Sequence, residues 1–310
     1  MLVKHRYFQP HVTPVQVLNR ATDPMLPAIK PCTFNVLRLL DERKFANHVL
    51  VITRWRVERE DCEAFNSYQH IRVTLLVTHS GISDDRIEPV DSTIAARSLA
   101  TAHKHADRYR VILYWRPIVP GLNDSEADLR HAREMTEQAH ATVFTGLFFR
   151  HEIRGYYRSV GLTLPCETTA RRKIFPEDLE RRILAAFRRD DGTYGPLFRK
   201  TSCAVCYVHG LSDYNGHYGV RELCDICPAA QLRLCAAAWQ RPSPARAASM
   251  AADLGGSLVG INERAMVVTG LDEPARYLMQ HTLGYQVHDA AQPHHCRRHG
   301  RADVGWPAPQ

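Results

Sequence analysis

Between residues 15 and 149 the chain alternates short, almost wholly apolar runs with longer stretches of mixed polarity. The apolar runs are VQVLN from Val15, HVLVITRW from His48, IRVTLLVTHS from Ile71, YRVILYWRPIV from Tyr109 and ATVFTGLFF from Ala141. They are rich in β-branched and aromatic residues, the pattern of strands buried on both faces. Their starts lie 33, 23, 38 and 32 residues apart, and each gap holds a helix-like segment. The clearest are TFNVLRLLDER, STIAARSLATAHKHADR and SEADLRHAREMTEQAHA. The last has Asp128 three residues after Ser125, a start resembling a capping box.

Strand and helix alternating at this spacing predict an α/β fold with a parallel sheet and right-handed crossovers. A closed eight-stranded barrel takes about 250 residues. The periodic region is shorter, so the expected form is an open partial (β/α) barrel over residues 1–150, followed by a C-terminal cysteine-rich metal-binding extension. Residues 151–240 read as a connecting region plus the cysteine segment, with one helix at 176–189 opening on Pro176. Residues 241–288 read as a small α+β unit: a helix SPARAASMAADL, a strand near LVGINERAMVVTG, a helix EPARYLMQHTL, then YQVHD. Residues 289–310 lack periodicity and are expected to be disordered.

Composition narrows the class. With 310 residues and a hydrophobic fraction of 45%, the chain can bury a sizeable core. It has no run of 18 apolar residues, which argues against a membrane span. MLVKHRYFQPHV carries no apolar signal core, so the expected location is cytoplasmic. Nine cysteines without a secretion signal point to metal or catalytic chemistry rather than disulfides. A net charge of +7 permits a nucleic-acid partner, but the densest basic runs, Arg171–Lys173 and Arg297–Arg301, sit in no recognisable binding module.

Function in parallel α/β sheets gathers at the carboxyl ends of the strands. There the sequence places Asn19, Thr22 and Asp23 after the first strand, Thr53 and Arg54 after the second, Ser80 after the third and Arg116 at the end of the fourth. Arg54 and Arg116 have the geometry to grip a carboxylate or phosphate in two-pronged fashion. The plainer alternative is that they are loop charges paired with Asp or Glu.

The densest chemistry lies in CAVCYVHGLSDYNGHYGVRELCDICPAAQLRLC, residues 203–235. Two CxxC pairs, Cys203/Cys206 and Cys224/Cys227, are separated by 17 residues, as in a zinc ribbon. Cys235 adds a fifth thiol, and Cys227-Pro228 resembles the cysteine–proline step beside iron–sulfur clusters. One model puts Cys203, Cys224, Cys227 and Cys235 on one centre and leaves Cys206 out. The other is a zinc ribbon that uses Cys206 and leaves Cys235 free. Cys32, Cys62 and Cys166 read as core or surface residues, and His294-His295-Cys296 with His299 as an incidental cluster.

NRATDPMLP after the first strand, RPIVPGLND after a later one and the cysteine cluster together resemble the radical S-adenosylmethionine superfamily, in its spore photoproduct lyase-like branch. The resemblance covers about residues 10–150, with the cysteine segment as an extension like an auxiliary cluster. It implies a partial barrel in which a four-iron four-sulfur cluster cleaves S-adenosylmethionine to a 5′-deoxyadenosyl radical. By this resemblance Asn19, Thr22 and Asp23 approach the methionine moiety. Thr53, Arg54 and Ser80 contact its carboxylate or the ribose, Arg116 belongs to the same site, and Pro117–Val119 pack near the adenine. The defining CxxxCxxC loop is missing: it occurs nowhere in the chain. The expectation is a truncated or degenerate member that does not cleave S-adenosylmethionine as it stands.

Two function classes follow. One is an iron–sulfur radical enzyme with an unknown substrate and a ferredoxin or flavodoxin as reductant. The other is a non-catalytic zinc-binding scaffold.

Overall fold

The structure is a computed structural model that describes residues 2–17, 22–165, 176–291, 298–299 and 302–303. The elements of the first part are β1 (Val15–Val17), α1 (Lys30–Glu42), β2 (His48–Thr53), α2 (Arg59–Ser67), β3 (Arg72–His79), α3 (Ser92–Lys104), β4 (Arg110–Ile118), α4 (Glu126–Met135) and β5 (Ala141–Gly146). Then come α5 (His151–Ser159), α6 (Glu177–Phe187) and β6 (Leu197–Phe198). The six strands form one sheet in the order β1-β2-β3-β4-β5-β6, and every pairing is parallel. The α/β sheet is open, as the sequence pattern predicts. Its sixth strand lies beyond position 150, outside the periodic region, and its two residues are too short to leave a periodic signal.

Strand order that never reverses puts all right-handed crossovers on one face. Strand alternation shows the result. Val49, Val51, Leu75, Val77, Val111 and Leu113 pack in one cluster with residues of α1, α2, α3, α4 and α6. Their neighbours Leu50, Ile52, Leu76, Ile112, Tyr114 and Val143 face the other way, into a second cluster. That face is covered by the cysteine segment. Its first helix, α7 (Thr201–Val208), contributes Cys203, Ala204 and Val205 to the same cluster.

Local signals hold where they were read. Ser125 and Asp128 form a reciprocal capping box at the start of α4, and Pro176 is the N-cap of α6. The cysteine segment continues through α8 (Arg221–Cys224) and α9 (Ala229–Ala238). The last unit is α10 (Pro244–Asp253), β7 (Ser257–Ile261), β8 (Ala265–Thr269), α11 (Glu273–Leu283) and β9 (Gln286–Asp289), with a three-stranded sheet in the order β7-β8-β9. The single strand expected near LVGINERAMVVTG is two antiparallel strands. Asn262 makes the turn, its Oδ1 accepting from the backbone N–H of Arg264 and Ala265, both at 2.8 Å. Among the described residues no helix is long and apolar enough to cross a membrane. Asn19, Cys166, Arg171–Lys173, His294, His295 and Cys296 lie outside the described residues, as does most of the expected disordered tail.

Candidate metal centre

The strand-end rim is knitted together by its own side chains. Asp23 Oδ1 accepts from Thr53 Oγ1 at 2.6 Å and from the Met25 N–H at 2.9 Å, and its Oδ2 accepts from the Arg54 N–H at 2.8 Å. Arg54 is ion-paired through its guanidinium with the buried Glu88. Ser80 is buried, with its carbonyl accepting from Asn123 Nδ2 at 2.5 Å. Arg116 donates to the Tyr114 hydroxyl at 3.1 Å, with its guanidinium 4.7 Å from the centre of that ring. Thr22 is half-buried in the loop before Asp23. The structure thus joins Asp23, Thr53 and Arg54 directly, and gives Ser80 and Arg116 separate partners. In Arg54 the plainer sequence alternative, a loop charge paired with an acid, is the arrangement present.

The cysteine segment gathers more tightly. Cys203 and Cys206 share one face of α7 three residues apart, and both are buried. Cys224 ends α8, and Cys227 lies in the turn before α9. Cys235 sits on α9, where its sulfur accepts from Gln231 Nε2 at 3.3 Å, one turn earlier, and from the Asp213 N–H at 3.5 Å. Between α7 and α8 the chain loops out and returns with Asp213 and His217. Among the described residues, one group of three ligating side chains comes together: Cys203, Asp213 and His217, with one ligand atom of each within 4.8 Å of the others. All three are buried.

The internal bonding of this group matters. Asp213 Oδ2 accepts from the His217 N–H at 2.9 Å and lies 2.7 Å from His217 Nδ1. A carboxylate only accepts, so His217 Nδ1 carries a proton and donates it to Asp213. This is the second-sphere arrangement that orients a ligating histidine. Asp213 Oδ1 is buried without a hydrogen-bond partner, a costly state for a carboxylate oxygen unless a cation lies beside it. Burial would raise the Asp213 pKa, but the charge and hydrogen bonds of His217, together with the Ser202 hydroxyl, outweigh it and hold the group at about 2. Burial, reinforced by the Asp213 charge, pushes the Cys203 and Cys206 thiols well above their ordinary range. Cys224 and Cys227 share a thiol hydrogen bond that lowers Cys224 and raises Cys227. Cys203 and Cys206 are buried and Cys224, Cys227 and Cys235 half-buried. Among the described residues the four-cysteine set Cys203, Cys224, Cys227 and Cys235 does not come within the 4.8 Å that joins Cys203 to Asp213 and His217, although Cys206, Cys224 and Cys235 are near enough to act electrostatically on Cys203.

Cys, His and Asp are the ligand types of divalent zinc and of iron, so the donor set fits a metal. Sequence reading found the five cysteines and missed Asp213 and His217. The signal was present as Asp213-x3-His217 inside GLSDYNGHYG, but the glycines and Asn make that stretch read as a plain flexible return. The catalytic cluster of the radical S-adenosylmethionine superfamily is not fitted by these residues, since no CxxxCxxC exists to hold it.

Fold and site together define an open parallel α/β protein carrying a buried, cysteine-rich candidate metal centre. No family model matches the chain, and no curated protein matches it. Among solved structures, Streptococcus suis SuiB bound to precursor peptide SuiA is similar to it at 12% identity and a TM-score of 0.35, over 61% of this chain and 41% of that one. The chain thus spans less than half of that structure, and the likeness is too slight to bear on function.

Proposed function

We propose that the chain holds a metal centre in its cysteine segment, on the inner face of a radical S-adenosylmethionine-type open sheet, as an iron–sulfur protein whose centre is of the auxiliary kind. The convergence of Cys203, Asp213 and His217, with Cys206, Cys224, Cys227 and Cys235 around them, carries this reading. The motifs NRATDPMLP and RPIVPGLND and the parallel sheet support the superfamily side of it. Bound metal would draw the buried thiols to thiolates and compensate the buried charge of Asp213 Oδ1. S-adenosylmethionine, where it binds, would meet the rim of Asp23, Thr53, Arg54, Ser80 and Arg116.

A second reading is a mononuclear zinc centre, favoured by the nitrogen and oxygen donors of His217 and Asp213 within reach of Cys203. Metal analysis of anaerobically isolated protein separates the two. Iron with sulfide and a brown colour supports the cluster, and one zinc per chain supports the mononuclear centre. Protein that is folded and free of both metals, and takes up neither on reconstitution, rejects both.

A further inference from the structure

The two CxxC pairs differ in place and in access. Cys203 and Cys206 lie within α7 at 8% and 0% exposure, out of reach of a dissolved oxidant. Cys224 and Cys227 are half-buried, and both are free thiols. Cys224 ends α8, and the Cys227 N–H donates to the Cys224 carbonyl at 3.1 Å, so Cys224-Asp225-Ile226-Cys227 closes one tight turn. Such a turn brings its first and last Cα atoms within about 7 Å, and a disulfide spans Cα separations of about 4.4–6.8 Å. The two thiols meet across the turn in a hydrogen bond. They also stand outside the tight group of Cys203, Asp213 and His217.

The two residues between them are fixed from outside the turn. Asp225 is ion-paired with Arg199, whose Nε also donates to Glu180 of α6 at 2.7 Å. Ile226 is buried in the same core cluster as Leu179 and Ile183 of α6. The turn is therefore set by its neighbours, and the flanking sulfurs are held facing each other. Their other contacts are slight. Cys224 Sγ lies 3.9 Å from the His217 carbonyl oxygen and Cys227 Sγ 3.7 Å from that of Leu223. These are long contacts for a weak donor, so losing both thiol protons costs the turn little. Cys235, by contrast, is engaged elsewhere, its sulfur accepting from Gln231 and the Asp213 N–H.

We propose that Cys224 and Cys227 are a redox-active dithiol, oxidised to an intramolecular disulfide by a low-molecular-weight disulfide of the glutathione type. The thiolate of one cysteine attacks a sulfur of the oxidant, forming a mixed disulfide and releasing one glutathione. The thiolate of the other then attacks the protein sulfur of that mixed disulfide and releases the second glutathione. The two protein thiols are oxidised, the S–S bond of the oxidant is reduced, and the two thiol protons leave on the two glutathiones. The reverse exchange restores the dithiol. The site goes beyond the metal reading and does not rest on it, since no metal takes part in the exchange.

The test uses the full chain in two samples, as isolated under anaerobic conditions and after metal removal, with circular dichroism reporting the fold and metal content measured throughout. Each is treated with glutathione disulfide, the remaining thiols are alkylated in denaturant, and links are located by peptide mass spectrometry. The expected result is loss of the Cys224 and Cys227 thiols to one link between them, while Cys203 and Cys206 remain open to alkylation. Excess glutathione should return both thiols. Cys224→Ser and Cys227→Ser should each stop at a glutathione mixed disulfide on the cysteine that remains. A link that forms with metal retained supports the proposal and leaves the metal centre as described. A link that forms only in the stripped sample also supports it, and adds the two sulfurs to the metal's ligands. Absence of the link from every folded sample, or pairing of Cys224 or Cys227 with Cys203, Cys206 or Cys235 instead, overturns the proposal and leaves the metal centre to its own test.

Discussion

Asp213 has two oxygens and protein partners for one of them. Oδ2 holds the backbone and ring of His217, while Oδ1 is buried without a partner. That imbalance, rather than the count of cysteines, marks which thiol belongs with the carboxylate: Cys203 comes within 4.8 Å of both residues. Cys206, one turn along α7, is fully buried, and its sulfur accepts from the Tyr214 backbone N–H. The two cysteines of one CxxC pair should therefore behave differently. Cys203→Ala is expected to abolish bound metal. Cys206→Ala should keep it at a cost of about 1–2 kcal/mol in stability. Metal content and urea unfolding of the two variants check this, and loss of metal in Cys206→Ala would instead favour a ribbon-like arrangement. The five thiols were legible because their spacing is chemical information in one dimension. Asp213 and His217 were not, because an Asp and a His four residues apart in a glycine-bearing loop look like any solvated turn until the loop is folded back.

At the level of elements, the strands were readable from apolar runs such as HVLVITRW, since burial on both faces leaves a strong compositional trace, but a run apolar throughout does not say which residue takes which face. The two-residue β6 and the turn at Asn262 were not, because neither carries a period. RPIVPGLND shows how a motif can serve the scaffold. Asn123 Oδ1 accepts from the Val119 N–H at 2.7 Å, and its Nδ2 donates to the Ser80 carbonyl at 2.5 Å and the Pro117 carbonyl at 2.9 Å. It ties the loops after β3 and β4 to each other. Asn123→Ala strands three backbone groups, two buried and one partly buried, and should cost about 2–3 kcal/mol, read from the urea midpoint. A loss below about 0.5 kcal/mol would mean that the loops hold without it. Gly216 does the same service for the cysteine loop. Its φ is +66°, and a Cβ there would lie 2.4 Å from the Gly284 carbonyl oxygen. Gly216→Ala should separate the loop from the C-terminal unit, lowering the melting temperature and loosening bound metal. An unchanged melting temperature would show that the two segments are not in register as described.

For the molecule as a whole, buried histidines set the response to acid. Burial first, with nearby positive charge adding to it, holds His48 and His79 at about 4 and His209 at about 3, against an ordinary 6.5. These folded-state values are depressed, so the unfolded chain takes up protons at these rings where the folded chain does not. Stability is therefore fully present above about pH 6.5 and is lost as the pH falls through 5 towards 4 and 3. Each ring contributes up to about 1.4 kcal/mol per pH unit within that window. Urea midpoints at pH 7 and pH 5 should differ in this sense, and His79→Asn should flatten the difference. A midpoint independent of pH across this range would show that the rings are solvated.

Equilibrium dialysis against ferrous iron and, separately, zinc tests the proposed metal centre most directly. Metal-stripped wild-type chain and the Asp213→Asn variant are dialysed in parallel under anaerobic conditions, with circular dichroism confirming that both remain folded. A centre built on Cys203, Asp213 and His217 requires that the wild-type chain hold one of the two metals tightly, with binding weakened by about 10–100-fold or more in Asp213→Asn. Equal affinity for that metal in the two folded chains, or neither metal held by the wild type, would contradict it.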